Sequence, residues 1–442
     1  MFVAQAQPDV RDNLLIRLAD ARVQTDKVFD TVRPEALYAR PIPERHRIIF
    51  YIGHLEAFDW NLLSGRVAGV APFHPAFDRL FAFGIDPVDG GLPSDQPGDW
   101  PSVAEVKGYV RRVRDSLDAA FGRGVLSDGG DVSSVPRLLH VAIEHRLMHA
   151  ETLAYMLHQL PFADKTPQET TFELSAGRIE SRMLEIPAGS ATLGLAREDS
   201  AAFGWDNEYE AHEVRVPAFE IDQFKVTNGQ FLKFMEAGGY DEESLWSRED
   251  WRWKTETGIG KPVFWERRDG RWFHRGMFQE VPLAEDWPVY VSHAEASAYA
   301  RWAGKKLPSE AQWHRAAYGT QEGVERAYPW GADAPRRRHG YFDFLKWDPS
   351  PVNAFVRGRS AFDVAGLLGN GWEWTSSVFE AFDGFQAFPF YPGYSANFFD
   401  GKHYVMKGGS TRTEACMLRR SFRNWFQPHY QYVYAGFRCV SE

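Results

Sequence analysis

Two histidines four residues apart are the clearest candidates for chemistry in this sequence. They are His145 and His149, in the segment Glu-His-Arg-Leu-Met-His-Ala-Glu that begins at Glu144. On a helix, residues at i and i+4 lie on one face, so their imidazoles can converge on one metal ion. A third imidazole is expected from His54, because facing helices of a bundle commonly supply inward-pointing ligands to a shared site. The first hypothesis is therefore a metal centre of three histidines.

Two other histidines compete for the same role. His140 precedes His145 by five residues. That spacing turns it about 140° around the helix, so it should not share the metal face. His46 lies in the same helical stretch as His54, and it remains an alternative third ligand.

The chemistry of such a site follows from its charge. Three neutral imidazoles leave a divalent ion with its full positive charge and with open positions. This favours binding of an anionic thiolate or selenolate, followed by dioxygen. Imidazole suits iron, zinc, copper or nickel, so the ligands alone do not select the metal. A zinc hydrolase is one alternative, and its only evident general base is Glu151.

The elements that must position these histidines are helices. Apolar residues recur with a period near 3.6 in four stretches, which predicts a four-helix bundle. These stretches are residues 9–32, 44–66, 101–124 and 134–160. The connection from 71 to 101 is rich in proline, glycine and aspartate and lacks this period, so we expect a loop with a function of its own.

The second half of the chain has a different pattern. From Gln168 onward, short β-like runs alternate with glycine, proline, tryptophan and asparagine, and two helices are predicted near 292–303 and 309–317. This pattern is typical of an irregular α+β domain. We therefore predict a multidomain α and α+β protein, with a bundle over 1–165 and a second domain over 180–442.

The composition of the 442-residue chain excludes several classes of protein. Its formal charge is −10 and no long run of lysine or arginine occurs, so we expect small-molecule partners, without nucleic acid or membrane. Two cysteines, Cys416 and Cys439, cannot form a disulfide framework or a cysteine-based metal site. The sequence shows no signal-peptide pattern and no apolar stretch of about 18 residues, so a cytoplasmic location is expected.

Five motifs follow one another in the second half of the chain. They are VTN at 226–228, PVYVS at 288–292, LPSEAQW at 307–313, GNGWEW at 369–374 and GFRC at 436–439. In order and spacing they resemble the formylglycine-generating-enzyme (sulfatase-modifying factor) fold, which is C-type-lectin-like. Together with a DinB-like bundle that carries His-x-x-x-His-x-Glu, the whole chain resembles the family of ergothioneine-synthesis sulfoxide synthases and selenoneine synthases. Formylglycine generation itself needs two closely spaced cysteines, which Cys416 and Cys439 are not.

This resemblance implies a cofactor and a first substrate. The cofactor is Fe(II), held by the three histidines, and O2 is the co-substrate. The substrate is hercynine (N,N,N-trimethylhistidine), whose quaternary ammonium is held by aromatic and amide groups. Asn424 and Trp425 match the segment expected to supply them, followed by Phe426, for which plain packing is an equal alternative. Relatives often have glutamine where this chain has Met148, so part of the shell around the cation should differ.

The resemblance also implies a tyrosine that donates a proton near the metal. The matching run is FPFYPGYS at 388–395, and Tyr391 is our choice, with Tyr394 in reserve. A phenol can give and retake a proton without binding the metal strongly. The alternative is that both tyrosines only pack in a loop.

The donor of sulfur or selenium is where this chain departs from the sulfoxide synthases. Those that use γ-glutamylcysteine have two arginines after the second helix that bind the carboxylates of the donor. Gly90 and Asp95 stand at the matching positions here. Arginine is the natural bidentate partner of a carboxylate, so a hydroxyl-rich donor fits better. We therefore expect C–Se bond formation with a selenosugar held by Ser94 and Asp95, with a cysteine-type donor and a sulfoxide product as the alternative.

A third reading has no catalysis at all. Both DinB-like bundles and the sulfatase-modifying factor fold occur without known catalysis, so a ligand-binding or regulatory protein is also consistent with the fold. The full set of three histidines argues for the enzyme. Iron content after anaerobic loading distinguishes the two readings.

Overall fold

The computed structural model of the protein describes residues 10–82, 92–123, 134–170, 172, 179–199 and 202–442. The chain folds as two units, residues 1–168 (unit 1) and residues 169–442 (unit 2). The bounds that we predicted from the sequence were 1–165 and 180–442. In the described part of the chain, no helix is both long enough and apolar enough to cross a membrane.

Unit 1 is helical. Its described helices are α1 (Val10–Phe29), α2 (Ile48–Leu63), α3 (Pro75–Leu80), α4 (Val103–Gly122) and α5 (Val135–His158). The four long ones confirm the four stretches predicted from periodicity, with a few residues fewer at most ends. Helix α1 packs against α5, and α2 packs against both α4 and α5. The bundle therefore places α2 and α5, which carry the candidate histidines, side by side.

Local sequence signals fix the ends and faces of these helices. Nearly every residue of α2 is buried, which agrees with its apolar character all the way round. Helix α4 begins with a capping box, in which Ser102 and Glu105 bond to each other's backbone N–H groups. Helix α5 has a proline in its first turn, where the missing N–H costs nothing.

The short helix α3 corrects the prediction of a loop between residues 71 and 101. It has only six residues, too few to show a helical period in the sequence. Its start has a clear local cause, because Nδ1 of His74 accepts a hydrogen bond from the Phe77 N–H and Pro75 occupies the first turn. Residues 83–91 of this connection, including Gly90, lie outside the described residues.

Unit 2 contains short strands in four small sheets. The described strands are β1 (Met183–Ile186), β2 (Gly189–Leu193), β3 (His212–Val216), β4 (Phe219–Asp222), β5 (Trp265–Arg268), β6 (Arg271–Arg275), β7 (Glu280–Pro282), β8 (Trp372–Val378), β9 (Tyr404–Lys407), β10 (Asn424–Phe426), β11 (Ala435–Gly436) and β12 (Val440–Ser441). The largest sheet has the order β10-β9-β8-β11, in which β10 pairs antiparallel with β9. The other sheets are β1-β4-β12, β5-β6-β7 and β2-β3.

Four α-helices accompany these strands in the described part of unit 2. They are α6 (Asn228–Glu236), α7 (Arg248–Thr257), α8 (His293–Trp302) and α9 (Glu310–Tyr318). Helices α8 and α9 confirm the two predicted near 292–303 and 309–317. Helices α6 and α7 were not predicted, although Thr227 and Ser247 cap their first turns.

The tryptophans of the sequence motifs belong to the core of unit 2. Trp313, Trp372 and Trp374 are almost fully buried, at 0%, 2% and 0% exposure. The indole N–H of Trp313 donates to Glu373 over 3.0 Å, and that of Trp374 donates to the carbonyl of Val291 over 2.9 Å. These motif residues therefore have structural roles, as expected of aromatic residues whose polar atom has a buried partner.

Candidate metal centre

Three histidines from two helices meet inside unit 1. Helix α2 supplies His54, and α5 supplies His145 and His149 from one face. One nitrogen from each ring lies within 4.8 Å of the other two. The Nε2 atoms of His54 and His149 are 3.2 Å apart, and the rings of His145 and His149 are 4.5 Å apart. The structure thus brings together the three residues that the sequence proposed as ligands.

Burial determines the protonation of this cluster. The three side chains are only 2–4% exposed. Burial lowers the pKa of His54 to about 4, and it lowers the pKa values of His145 and His149 well below the ordinary imidazole range. All three rings are therefore neutral near pH 7 and keep a nitrogen lone pair, which is the form that binds metals.

The tautomer of His54 is fixed by the main chain. Its Nδ1 lies 2.7 Å from the carbonyl oxygen of Phe81. A carbonyl can only accept a hydrogen bond, so Nδ1 carries the proton and Nε2 carries the lone pair. Aromatic rings hold the orientation further, because Phe50 stacks on His54 and Phe58 stacks on His145 at a centroid distance of 3.4 Å.

A buried charge network lies beside the histidines. Arg146 is fully buried, and its guanidinium donates to Glu56 over 3.0 Å and to Asp59 over 2.6 Å. Arg114 of α4 donates to Glu56 and also to Asp26 of α1. Although burial opposes its ionisation, Arg146 and Arg114 lower the pKa of Glu56 to about 2. The network joins α1, α2, α4 and α5, and it compensates the Arg146 charge close to the cluster.

These residues fit a divalent transition metal. Three converging neutral imidazoles are a ligand set that suits Fe, Zn, Cu or Ni. The lone pair on Nε2 of His54 points at another imidazole, and Nδ1 of His149 has no hydrogen-bond partner within the described ranges. A cation between the rings would bind the imidazole nitrogens that converge there.

The competing residues lie apart from this cluster. Among the described residues, the one group with metal-ligand spacing contains neither His46 nor His140. The half-buried His46 packs against Phe50 at a ring distance of 4.1 Å. Glu151 follows His149 by two residues on α5, which turns it about 200° away from that ligand. It is therefore poorly placed to act as a base on a metal-bound group.

Trp425, one of the substrate-binding candidates of unit 2, lies in an aromatic cluster. This residue is on β10, and its indole stacks on Phe379 at a centroid distance of 4.1 Å. Tyr394 approaches its edge at 5.4 Å and stacks on Trp205 at 3.9 Å. Trp425 is half-buried, so part of its surface remains accessible.

The two candidate tyrosines differ in exposure. Tyr394 is 8% exposed because it is stacked on Trp205, whereas Tyr391 is half-buried. Their rings are 5.5 Å apart. Tyr391 is therefore the more accessible phenol, and its role as proton donor remains a prediction.

Three further substrate-binding candidates are Asn424, Phe426 and Met148. Asn424 and Phe426 alternate with Trp425 along β10, so their side chains lie on the opposite face of the strand. The Asn424 side-chain oxygen accepts a hydrogen bond from the Trp425 N–H, and Phe426 stacks on Tyr430. Met148 is half-buried on α5, next to His149 in the chain. Their substrate contacts remain predictions.

Asp95 is bound by groups of the chain itself. Its carboxylate accepts hydrogen bonds from Arg47 over 2.8 Å, from the indole of Trp100 over 2.7 Å, and from Arg40. Ser94 is exposed and is not part of this arrangement. Sequence reasoning missed the two arginines, since both precede α2 and lie about 50 residues away in the chain.

Two other features of the site were also missed from the sequence. The Phe81 carbonyl is a main-chain group and has no residue-type signal. The charge network did have a signal, because Glu56 and Asp59 interrupt the otherwise apolar α2 on the side that meets Arg146. Acidic residues inside such a helix indicate a buried cationic partner.

Comparisons with known proteins agree with this division of the chain. Residues 169–442 match the sulfatase-modifying factor enzyme 1-like domain, and residues 17–153 match the DinB superfamily. These two matches confirm the predicted fold class, a DinB-type helical domain followed by a sulfatase-modifying factor domain.

Several relatives match over both domains. The chain is 33% identical to hercynine oxygenase of Mycobacterium tuberculosis over 435 residues, covering 97% of this chain and 98% of the relative. It is 36% identical to hercynine oxygenase of Mycolicibacterium smegmatis over 447 residues, covering 97% and 99%. It is 29% identical to ergothioneine biosynthesis protein 1 of Neurospora crassa, covering 92% of this chain and 55% of that longer protein.

Proposed function

The chain belongs to the hercynine oxygenase family of ergothioneine biosynthesis, and from that premise we propose that it is an iron(II) enzyme acting on hercynine with dioxygen. It joins a selenium or sulfur atom to the imidazole ring of that substrate. The observation that carries the proposal is the buried cluster of His54, His145 and His149. Relatives that match nearly the whole chain are named for hercynine and oxygenation, which supports the same reaction class here.

The three histidines hold the ion in this proposal. Burial keeps their rings neutral, and the hydrogen bond to the Phe81 carbonyl keeps the Nε2 lone pair of His54 available. Bound Fe(II) would supply the binding and activation of dioxygen and a positive site for the thiolate or selenolate of the donor. Joining donor and ring removes one hydrogen atom from each, and these two hydrogens leave as water with one oxygen atom of dioxygen, while the other oxygen atom is bonded to the sulfur or selenium of the product.

Residues of unit 2 supply the other proposed roles. The half-exposed indole of Trp425 suits the trimethylammonium of hercynine, since a quaternary ammonium has no N–H to donate and is attracted to an aromatic face. Because the side chain of Asn424 lies on the opposite face of β10, we assign the trimethylammonium to Trp425 alone. Tyr391 is the proposed proton donor, because its phenol is the more accessible of the two candidates.

The donor is proposed to be a selenosugar. A dicarboxylate donor needs free guanidiniums, and Arg40 and Arg47 both bond to Asp95. The carboxylate of Asp95 thus already binds both arginines, so they are not free to bind the carboxylates of a donor. This observation favours a donor rich in hydroxyl groups, with Ser94 exposed beside it. A cysteine-type donor with a sulfoxide product is the second candidate, and the names of the relatives favour it.

The test is a competition assay. Protein loaded anaerobically with Fe(II) receives hercynine, dioxygen, a 1-selenosugar and γ-glutamylcysteine at equal concentrations, and products are identified by mass spectrometry. We expect hercynine-dependent oxygen uptake and a selenium-containing hercynine adduct as the main product. A predominant sulfoxide would overturn the selenium assignment and keep the oxygenase. Absence of hercynine-dependent uptake with either donor, at one iron per chain, would overturn the oxygenase and favour a ligand-binding protein.

A further inference from the structure

The hydrogen bond that orients His54 comes from a residue that touches α2 at a glycine. Phe81 follows the last residue of α3, and its ring is fully buried. A Cβ atom built on Gly53 would lie 2.6 Å from three carbon atoms of that ring. Carbon atoms in contact normally stay about 3.5–4.0 Å apart. The Phe81 ring can therefore occupy its place only because position 53 has no side chain.

The ring has little freedom to move away. Four other aromatic rings surround it, with centroids between 5.4 and 6.3 Å from its own. They belong to Phe50, Phe77, Trp100 and Tyr109. In a packed core, added volume is accommodated by shifts of neighbours, since few voids are available. A methyl group at position 53 would therefore displace Phe81 as a whole, including its carbonyl.

The presence of glycine here needs a reason. Gly53 lies inside α2, where glycine is less favourable than alanine. Its backbone is helical, so a left-handed conformation does not explain it. The close approach of Phe81 does explain it. The next residue in the chain is His54, whose Nδ1 bonds to the carbonyl of that same Phe81.

We propose that Gly53 is a positioning residue for the metal centre, because it admits the Phe81 ring against α2 and so places the Phe81 carbonyl on Nδ1 of His54. Without that acceptor, His54 can shift its proton to Nε2, and the protonated Nε2 cannot bind a metal. Partners that orient a metal-binding histidine are worth about tenfold to a hundredfold in metal affinity. The inference rests on the proposed role of His54 as a ligand.

The test compares glycine-to-alanine substitutions at two helical positions. Gly53→Ala adds the methyl group against Phe81. Gly108→Ala in α4 adds the same group where nothing lies within 4 Å. Co(II) replaces iron as the probe, because its visible spectrum reports ligand geometry without turnover. We expect Gly53→Ala to bind Co(II) about tenfold to a hundredfold more weakly, with a changed spectrum, and Gly108→Ala to match the parent protein.

A second variant separates this role from general misfolding. In Gly53→Ala/Phe81→Leu, a smaller side chain leaves room for the added methyl group, and the main-chain carbonyl at position 81 is kept. We expect this double variant to recover most of the Co(II) affinity and the parent spectrum. Parent-like binding by Gly53→Ala overturns the inference, as does a double variant that does not fold or does not recover. If the parent protein itself binds no Co(II), that result contradicts the proposed metal site and not the role of Gly53.

Discussion

Buried polar groups meet in both units, but they are satisfied differently. In unit 1, three neutral imidazoles of α2 and α5 face one another. In unit 2, the fully buried carboxylate of Glu373 faces Arg438, Lys225 and the indole of Trp313. The chain supplies Glu373 with cationic partners, whereas the three neutral imidazoles converge on one another without a charged group between them.

This difference shows which buried cluster has all of its charged partners within the chain. The Glu373 ion pair offsets its desolvation with partners in contact, so it serves structure without any ligand. Unit 1 also pairs buried charges within the chain, around Arg146, directly beside the histidines. The chain is thus able to neutralise buried charge on α5. The three histidines converge as neutral ligands, and in our proposal a cation from outside binds them.

The largest effect is expected from removing a histidine. His54→Ala should abolish hercynine turnover and reduce iron occupancy sharply, since the other two ligands lose their third partner. The folding of unit 2 should not change. Iron content and oxygen uptake are the measurements, and His46→Ala is the matched control that should keep both. Full iron and turnover in His54→Ala, with loss in His46→Ala, would transfer the ligand role to His46.

The second effect is on stability and concerns unit 2. Glu373→Gln leaves Arg438 and Lys225 buried without their carboxylate, which should cost about 3–5 kcal/mol in free energy of unfolding. Co(II) binding by the folded protein should stay unchanged. Denaturant unfolding followed by fluorescence reports on unit 2, which contains all of the 16 tryptophans except Trp60 and Trp100.

The matched control is an exposed pair in the same unit. Glu280→Gln breaks its pair with Arg268, whose side chain is 62% exposed, and should cost below about 1 kcal/mol. If the two substitutions were equally mild, Glu373 would not be the centre of a complete network. The contrast with unit 1 would then be lost.

The third expectation is that acid removes the stability contributions of His54 and of Glu373 in different pH windows. In metal-free protein, the unfolded chain takes up protons below pH about 6.5 while the folded His54, whose pKa is about 4, does not. Stability is therefore full above pH 6.5 and falls towards pH 4, by about 3 kcal/mol for this residue at about 1.36 kcal/mol per pKa unit. Glu373, whose pKa is lowered by Arg438 and Lys225 despite its burial, contributes stability that is lost only below about pH 4.5.

Thermal melts of the metal-free protein between pH 8 and pH 4 measure this difference. His54→Gln should lack part of the decrease between pH 6.5 and pH 4, since glutamine does not titrate. An identical pH profile in that variant would show that His54 is not held neutral by burial.

The smallest expected effect tests whether unit 2 contributes a proton donor to the reaction. Tyr391→Phe removes one hydroxyl and should lower product formation about a hundredfold, a typical contribution of a positioned proton donor. Iron content and stability should not change. Mass spectrometry of the products is the measurement, with Tyr394→Phe as the companion variant. Loss in Tyr394→Phe alone would move the role to that residue, and loss in neither would leave unit 2 without a proton donor.

Regular spacing made unit 1 predictable from the sequence. The four long helices followed from apolar periodicity, and the pairing of His145 with His149 followed from a spacing of four on α5. The shortest helix was less visible, since α3 has only six residues, whereas α6 was missed although it is as long as the predicted α9. Local signals marked both starts, namely His74 and Pro75 for α3 and Thr227 for α6.

The surroundings of the candidate residues were not predictable, because distant segments form them. Trp425 on β10 contacts Phe379 and Tyr394, and Tyr394 in turn stacks on Trp205. Irregular chain connects these residues, so no period in the sequence relates them. The partners of Asp95 posed the same problem, as Arg40 and Arg47 are far from it in the chain.

The contact between Phe81 and His54 has a consequence for how such sites are found experimentally. Its acceptor is a main-chain carbonyl, which every residue type possesses. A scan that truncates each side chain to alanine leaves this acceptor in place at position 81. The same scan usually passes over glycines, because alanine there adds atoms and removes none. A truncation survey would therefore detect His54 as a ligand but would miss its acceptor at position 81, which adding volume at Gly53 would reveal.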